Sequence, residues 1–242
     1  MQISLTLQPE KPLCIPLNYN YQLQSALYAL LGEVGESVFW HDNGFGDFTK
    51  YKGFCFGKLE GKHVVDRENK KIRFENIVRL EIRSSVFAFM DSFQRAVERH
   101  PFLKLYDTRL DVIGASLGNR HLAEKTTVFE AVTPIIVHET FPDGKTYFFD
   151  PAEEKFYVRI CNNLSRKYES ITGMPADAVC VRPESEFRKT VTRYKGFLLT
   201  GYTGKIGVKA SIQMLEFIYN TGLGEKNSQG FGFVKVSAED RA

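Results

Sequence analysis

Residues 222–236 read GLGEKNSQGFGFVKV, with glycines at 222, 224, 230 and 232 and a strand-like ending. They follow IQMLEFIYN, residues 212–220, whose apolar spacing predicts a short helix. The order is therefore helix, glycine loop, strand. Nucleotide-binding loops run strand, loop, helix, so that a helix N-terminus faces the phosphate. No G-x-x-x-x-G-K-[ST] run is present, and Asn227 stands where the third glycine of G-x-G-x-x-G belongs. A mononucleotide site is excluded, and the loop closes a unit that can be traced backwards.

Upstream, FRKTVTRYKGFLLTGYTGKIGVK (187–209) predicts two strands and DAVCVRP (177–183) another. AEEKFYVRICNNLSRKYESITG (152–173) predicts an amphipathic helix after Pro151, while TTVFEAVTPIIVHE (126–139) and KTYFFD (145–150) are strand-like. The first half repeats this grammar. QISLTLQP is a strand, YNYQLQSALYALLGEVGESVFWH opens a helix through Leu23, Leu27, Leu30 and Leu31, and YKGFCFGKLEG and KIRFENIVRLEIR are strand-like. SSVFAFMDSFQRAVERH forms a second helix behind its serines, and LDVIGASLG a closing strand. Twice the chain spells strand, helix, strands, helix, strand, the split β-α-β order. The expectation is an α+β protein of two tandem ferredoxin-like domains, at residues 1–118 and 125–242.

The chain has 242 residues and a formal charge of +3, too little by itself to mark a nucleic-acid binder. Between Arg182 and Lys209, however, seven basic residues face two acids, a local +5. The excess is confined to one region, which suggests a polyanionic partner. Cys14, Cys55, Cys161 and Cys180 form neither a C-x-x-C pair nor zinc-like spacing. No signal-peptide pattern opens the chain and no apolar run reaches the length of a membrane span, so a cytoplasmic enzyme or binding protein is expected, with no membrane partner. Within the glycine loop, bare backbone at Gly222, Gly224, Gly230 and Gly232 lets another chain approach. Lys226, Asn227 and Ser228 add donors for phosphate or sugar oxygens.

Three segments carry a family resemblance. GLGEKNSQGFGFVKV resembles the C-terminal glycine-rich loop of the CRISPR repeat-associated RNA-processing proteins, specifically the Cas-six endoribonucleases. PLNYNYQLQSALYALL (16–31) resembles that family's entry into its first helix, and SVFWHDNGFGDF (37–48) the segment carrying its active-site histidine. The resemblance covers nearly the whole chain. It implies metal-independent cleavage of precursor CRISPR RNA within the repeat, by attack of a 2'-hydroxyl on the adjacent phosphate. The products would be a 2',3'-cyclic phosphate and a 5'-hydroxyl, made without cofactor or metal. Repeat RNA is the implied partner, with other CRISPR effector subunits and a homodimer left open.

The resemblance implies His41 as the catalytic histidine; imidazole, with an unperturbed pKa of about 6.5, suits proton transfer near neutrality. Tyr28 matches the tyrosine that orients or helps deprotonate the 2'-hydroxyl in some members. Lys52 matches the family's lysine, with Lys50 competing. One condition follows: residues 28 and 41 on one continuous helix would lie about 20 Å apart along its axis. The helix must therefore end by about residue 36. In RKTVTRYKGF, alternation places Lys189, Arg193 and Lys195 on one strand face as an RNA platform, with Tyr194 opposite. Two other classes compete: a non-catalytic repeat-RNA-binding subunit of a CRISPR effector, and a ferredoxin-like regulator of a small ligand.

Overall fold

The computed structural model describes residues 1–237; the end of the expected 125–242 unit, 238–242, lies outside the described residues. Alternation builds the first sheet. In the strand Gln2–Pro9, Ile3, Leu5 and Leu7 are buried while the residues between them are partly open. This strand lies at the centre, antiparallel to Val78–Ser84 on one side and Thr108–Gly118 on the other. Phe54–Phe56 and Phe102–Leu105 form the two edges. Helix α1 (Asn20–Gly32) buries Leu23, Leu27, Leu30 and Leu31; α2 (Ser37–Asp42) follows, and α3 (Phe87–Arg99) buries Phe89, Met90, Phe93 and Val97. The serines before α3 do not cap it through their side chains: its N-cap is Val86, whose amide donates to Ser84 Oγ at 2.9 Å.

The second sheet repeats the plan. Thr126–Ala131 is central, between Lys205–Lys209 and Val234–Val236, with Cys180–Pro183 at the edge. Helices α4 (Glu154–Thr172) and α5 (Ile212–Thr221) supply Phe156, Ile160, Leu164, Leu215 and Ile218 to its core. In both sheets the last strand of the unit lies beside the first, and the first beside the third. That is the order of two tandem ferredoxin-like folds.

Residues 187–209 hold three strands rather than the expected two. Arg188–Tyr194 and Phe197–Thr203 pair as a separate hairpin, and Lys205–Lys209 alone joins the central sheet. The break falls at Gly204, where a Cβ would come within 2.7 Å of the Phe187 ring. A second hairpin, His138–Thr140 with Thr146–Phe148, and a small sheet of Leu13–Pro16, Lys71–Phe74 and His63–Asp66 complete the fold.

Arg83 holds the two units together. It is 3% exposed, donates to the carbonyls of Tyr219 at 3.2 Å and Val234 at 2.6 Å, and stacks on the rings of Tyr219 and Phe233. Its remaining charge is met by Glu81 at 2.6 Å, so the buried guanidinium is paired and hydrogen-bonded.

Candidate active site

Helix α1 stops at Gly32, and Gly35, at φ +78°, turns the chain into the short α2. The second helix is pinned from behind. Trp40 is buried edge-on against Phe89, at 5.2 Å between ring centroids, and its indole donates to Glu36. Glu36 also accepts from Ser92 and, at 2.7 Å, from Arg95 on α3. These bonds hold the Glu36 carboxyl below its usual range, the Ser92 hydroxyl contributing most. Trp40 thus fixes the position of the next residue, His41.

His41 comes back to α1. Its ring meets that of Tyr28 edge to face, 5.0 Å between centroids. The imidazole is exposed and its Nδ1 lies 2.5 Å from Asp42 Oδ1. A proton on Nδ1 donated to that carboxylate leaves Nε2 as the nitrogen open to a substrate. Tyr28 is buried, and burial raises its hydroxyl pKa well above the ordinary tyrosine value, against hydrogen bonds from Ser228 and Gln24. At neutral pH it is a hydroxyl, able to donate and accept but not to act as a phenolate base.

Lys52 has a different station from the one its motif implied. Its ammonium donates to the main-chain carbonyls of His41 at 2.5 Å and Asn43 at 2.8 Å, and burial lowers its pKa. It clasps the backbone under the histidine. Lys50, its competitor, donates to Gly46 O at 2.7 Å.

The glycine loop docks on α1. Asn20 Nδ2 donates to the carbonyls of Gln229 and Gly230, and Gln24 Nε2 donates to Ser228 O at 2.8 Å. All four glycines have positive φ. Each is also packed against the protein itself: a Cβ would meet Gly232 O at 2.7 Å from Gly222, Ile136 O at 2.6 Å from Gly224, Phe56 at 2.7 Å from Gly230 and Leu223 O at 1.9 Å from Gly232. The room that the sequence reading reserved for RNA backbone is filled by the chain's own atoms. Asn227 is also committed inward, donating to Leu223 O and Phe231 O and accepting from Lys167 at 3.0 Å. Lys226 and Ser228 are left half-open, lining a cleft of about 700 Å³ between the units with Lys50, Lys52, Arg159 and Arg166.

On the basic hairpin, Lys189 and Arg193 are exposed on one face and Tyr194 is buried on the other. Lys195 does not belong to that face. With Gly196 it forms the two-residue turn between the paired Tyr194 and Phe197, at φ +48°, so strand alternation has ended before it. Its ammonium instead lies 4.8 Å from the Tyr21 ring centroid, at a smaller cleft of about 380 Å³ that Tyr28 and His41 also line.

Residues 118–236 match the family described as CRISPR associated protein Cas6, C-terminal. CRISPR-associated endoribonuclease Cas6 1 of Methanocaldococcus jannaschii is 27% identical over 245 residues, covering 100% of this chain and 94% of the relative. The chain belongs to the Cas6 family. A solved structure described as that of a Cas6-related gene product from Pyrococcus furiosus has the same fold, with a TM-score of 0.84 at 23% identity over 99% of both chains. So does one described as an RAMP protein binding different RNA substrates, with a TM-score of 0.84 at 22% identity over 98% of this chain and 99% of that one.

In this Cas6 chain, sequence reasoning missed Gln24, Glu36 and Trp40, which position the site residues. A helical stripe assigns Gln24 to the edge of the core, and nothing local shows that its amide faces a loop two hundred residues away. Trp40, the chain's one tryptophan, directly before His41, was the signal available.

Proposed function

We propose that this protein is a metal-independent endoribonuclease that cuts CRISPR repeat RNA by attack of a 2'-hydroxyl on the adjacent phosphate. The observation that carries the reading is the meeting of Tyr28 and His41 at an open cleft, brought about by the break between α1 and α2. The reaction needs a proton taken from the 2'-oxygen and one given to the departing 5'-oxygen. His41, with Nδ1 toward Asp42, has Nε2 available for one of these transfers, and the protonated Tyr28 hydroxyl orients the attacking oxygen. Membership of the Cas6 family, and the name of the Methanocaldococcus relative, support the same activity.

In this reading the unit at 1–118 supplies Tyr28, His41 and Lys52, and the unit at 125–242 supplies the RNA platform. Lys189 and Arg193 contact phosphates on the hairpin, Lys226 and Ser228 contact RNA from the inter-unit cleft, and the four glycines and Asn227 shape the loop that presents them.

Single-turnover cleavage of repeat RNA tests the proposal. Wild type should cut in EDTA and leave a 2',3'-cyclic phosphate, and an RNA carrying a 2'-deoxy nucleotide upstream of the cut should bind but stay whole. His41→Ala should lose about 10² to 10⁴-fold in rate with affinity within threefold of wild type. Cleavage of the deoxy substrate, or loss of cleavage in EDTA, would overturn the mechanism. Tight binding of RNA that is never cut would make the protein a non-catalytic repeat binder.

A further inference from the structure

Cleavage through a phosphorane-like transition state places extra negative charge on the two non-bridging oxygens, and a nearby fixed cation stabilises it. Lys52 is poorly placed for that task, because its ammonium is turned into the carbonyls of His41 and Asn43. Among the described residues lining the Tyr28–His41 cleft, Lys195 is the only lysine or arginine, and Asp42, already beside His41, is the only carboxylate.

The hairpin tip is fixed where it can serve. Tyr194 is buried and donates its hydroxyl to Gln24 of α1, its ring packs edge-on to Tyr21 at 5.7 Å, and Thr192 donates to Asn18 at 3.1 Å. These contacts tie the turn to the helix that carries Tyr28. The turn itself is also informative. Lys195 has φ +48° and Gly196 φ +85°, a left-handed pair for which Asn-Gly is the favoured sequence. Lysine is a poor choice for the backbone here, and its long cationic side chain lines the cleft that holds His41.

We propose that Lys195 is a catalytic residue, its ammonium contacting a non-bridging oxygen of the scissile phosphate. The inference rests on the endoribonuclease reading. As the 2'-oxygen bonds to phosphorus and the bond to the 5'-oxygen breaks, one proton leaves the 2'-hydroxyl and one reaches the 5'-oxygen. Lys195 moves neither; its charge offsets the negative charge that develops between the two events. The second unit thereby contributes to the chemistry as well as to binding.

The test compares Lys195→Asn, which suits the left-handed backbone, with Lys195→Gly and Lys195→Arg. Single-turnover rates on repeat RNA are read beside affinity for the uncleavable 2'-deoxy RNA. Asn and Gly should each slow cleavage by about 10²-fold with affinity within threefold of wild type, and Arg should recover most of the rate. The pH–rate profile should keep its shape, since no proton passes through Lys195. A rate within threefold of wild type, or equal losses of rate and affinity, overturns the assignment while leaving the endoribonuclease reading intact. Wild type that binds repeat RNA and leaves it whole overturns both.

Discussion

Lys52 Nζ donates to the main-chain carbonyl of His41 at 2.5 Å, although the two lie eleven positions apart in the chain. The bond closes the loop from α2 to the strand Phe54–Phe56, and the second bond to Asn43 O completes a clasp. Lys52→Met should therefore act through the backbone. The expected result is a fall in cleavage rate of roughly 10 to 10²-fold, accompanied by faster amide hydrogen exchange in the 41–46 segment. An equal rate loss with unchanged exchange would return Lys52 to the phosphate.

Tyr28 gives a sign that can be checked by pH. Burial raises its pKa, so the neutral hydroxyl persists throughout the range in which RNA is handled. Tyr28→Phe should lower the rate about tenfold through lost orientation, and its pH–rate curve should run parallel to that of wild type between pH 5 and 9. If an alkaline rise present in wild type vanished in the variant, the tyrosine would be serving as a base.

Gly230 separates a loop built for its own fold from one built around a ligand. Its φ of +84° and the 2.7 Å approach of a Cβ to Phe56 and Asn20 place the constraint inside the protein. Gly230→Ala should destabilise by about 2 to 4 kcal/mol, seen as a lowered melting temperature, while RNA affinity measured well below that temperature changes little. A large affinity loss at unchanged melting temperature would show that RNA takes the space.

Lys167 supplies a pH dependence of stability. It is 3% exposed beneath the glycine loop and donates to Gly222 O at 2.7 Å, and burial lowers its pKa to about 7. In the unfolded chain a lysine holds its proton to about pH 10.4. Between these values the unfolded state binds more protons, so stability rises as pH increases above 7 and is lost again as pH falls through it. Relative to Lys167→Met, wild type should gain on the order of 1 kcal/mol per pH unit above neutrality. Denaturant unfolding of both proteins from pH 6 to 9 measures the difference, and parallel curves would refute a titrating Lys167.

The repeated grammar of the fold was legible because period-two and helical spacing are written locally: Ile3, Leu5 and Leu7 alternate, and Phe89, Met90, Phe93 and Val97 share one helix face. The pairing of Tyr28 with His41 was legible only as a condition, through Gly32 and Gly35. What escaped was set by distant contacts. Lys195 continues the alternation of Lys189 and Arg193 on paper, and it leaves that face because the hairpin turns one residue earlier than the pattern shows. The glycines of residues 222–232 signal close approach in any reading, and the identity of what approaches depends on Ile136, Phe56 and Asn20, far away in the chain.

The bonds of Gln24 and Tyr28 to Ser228 also make the glycine loop a tuning point for the first unit. Ser228 sits more than one hundred and eighty positions from either partner, yet it is bonded to the same helix face that meets the ring of His41. A shift of that loop is therefore passed to Tyr28 through two hydrogen bonds, with no movement of the first sheet required.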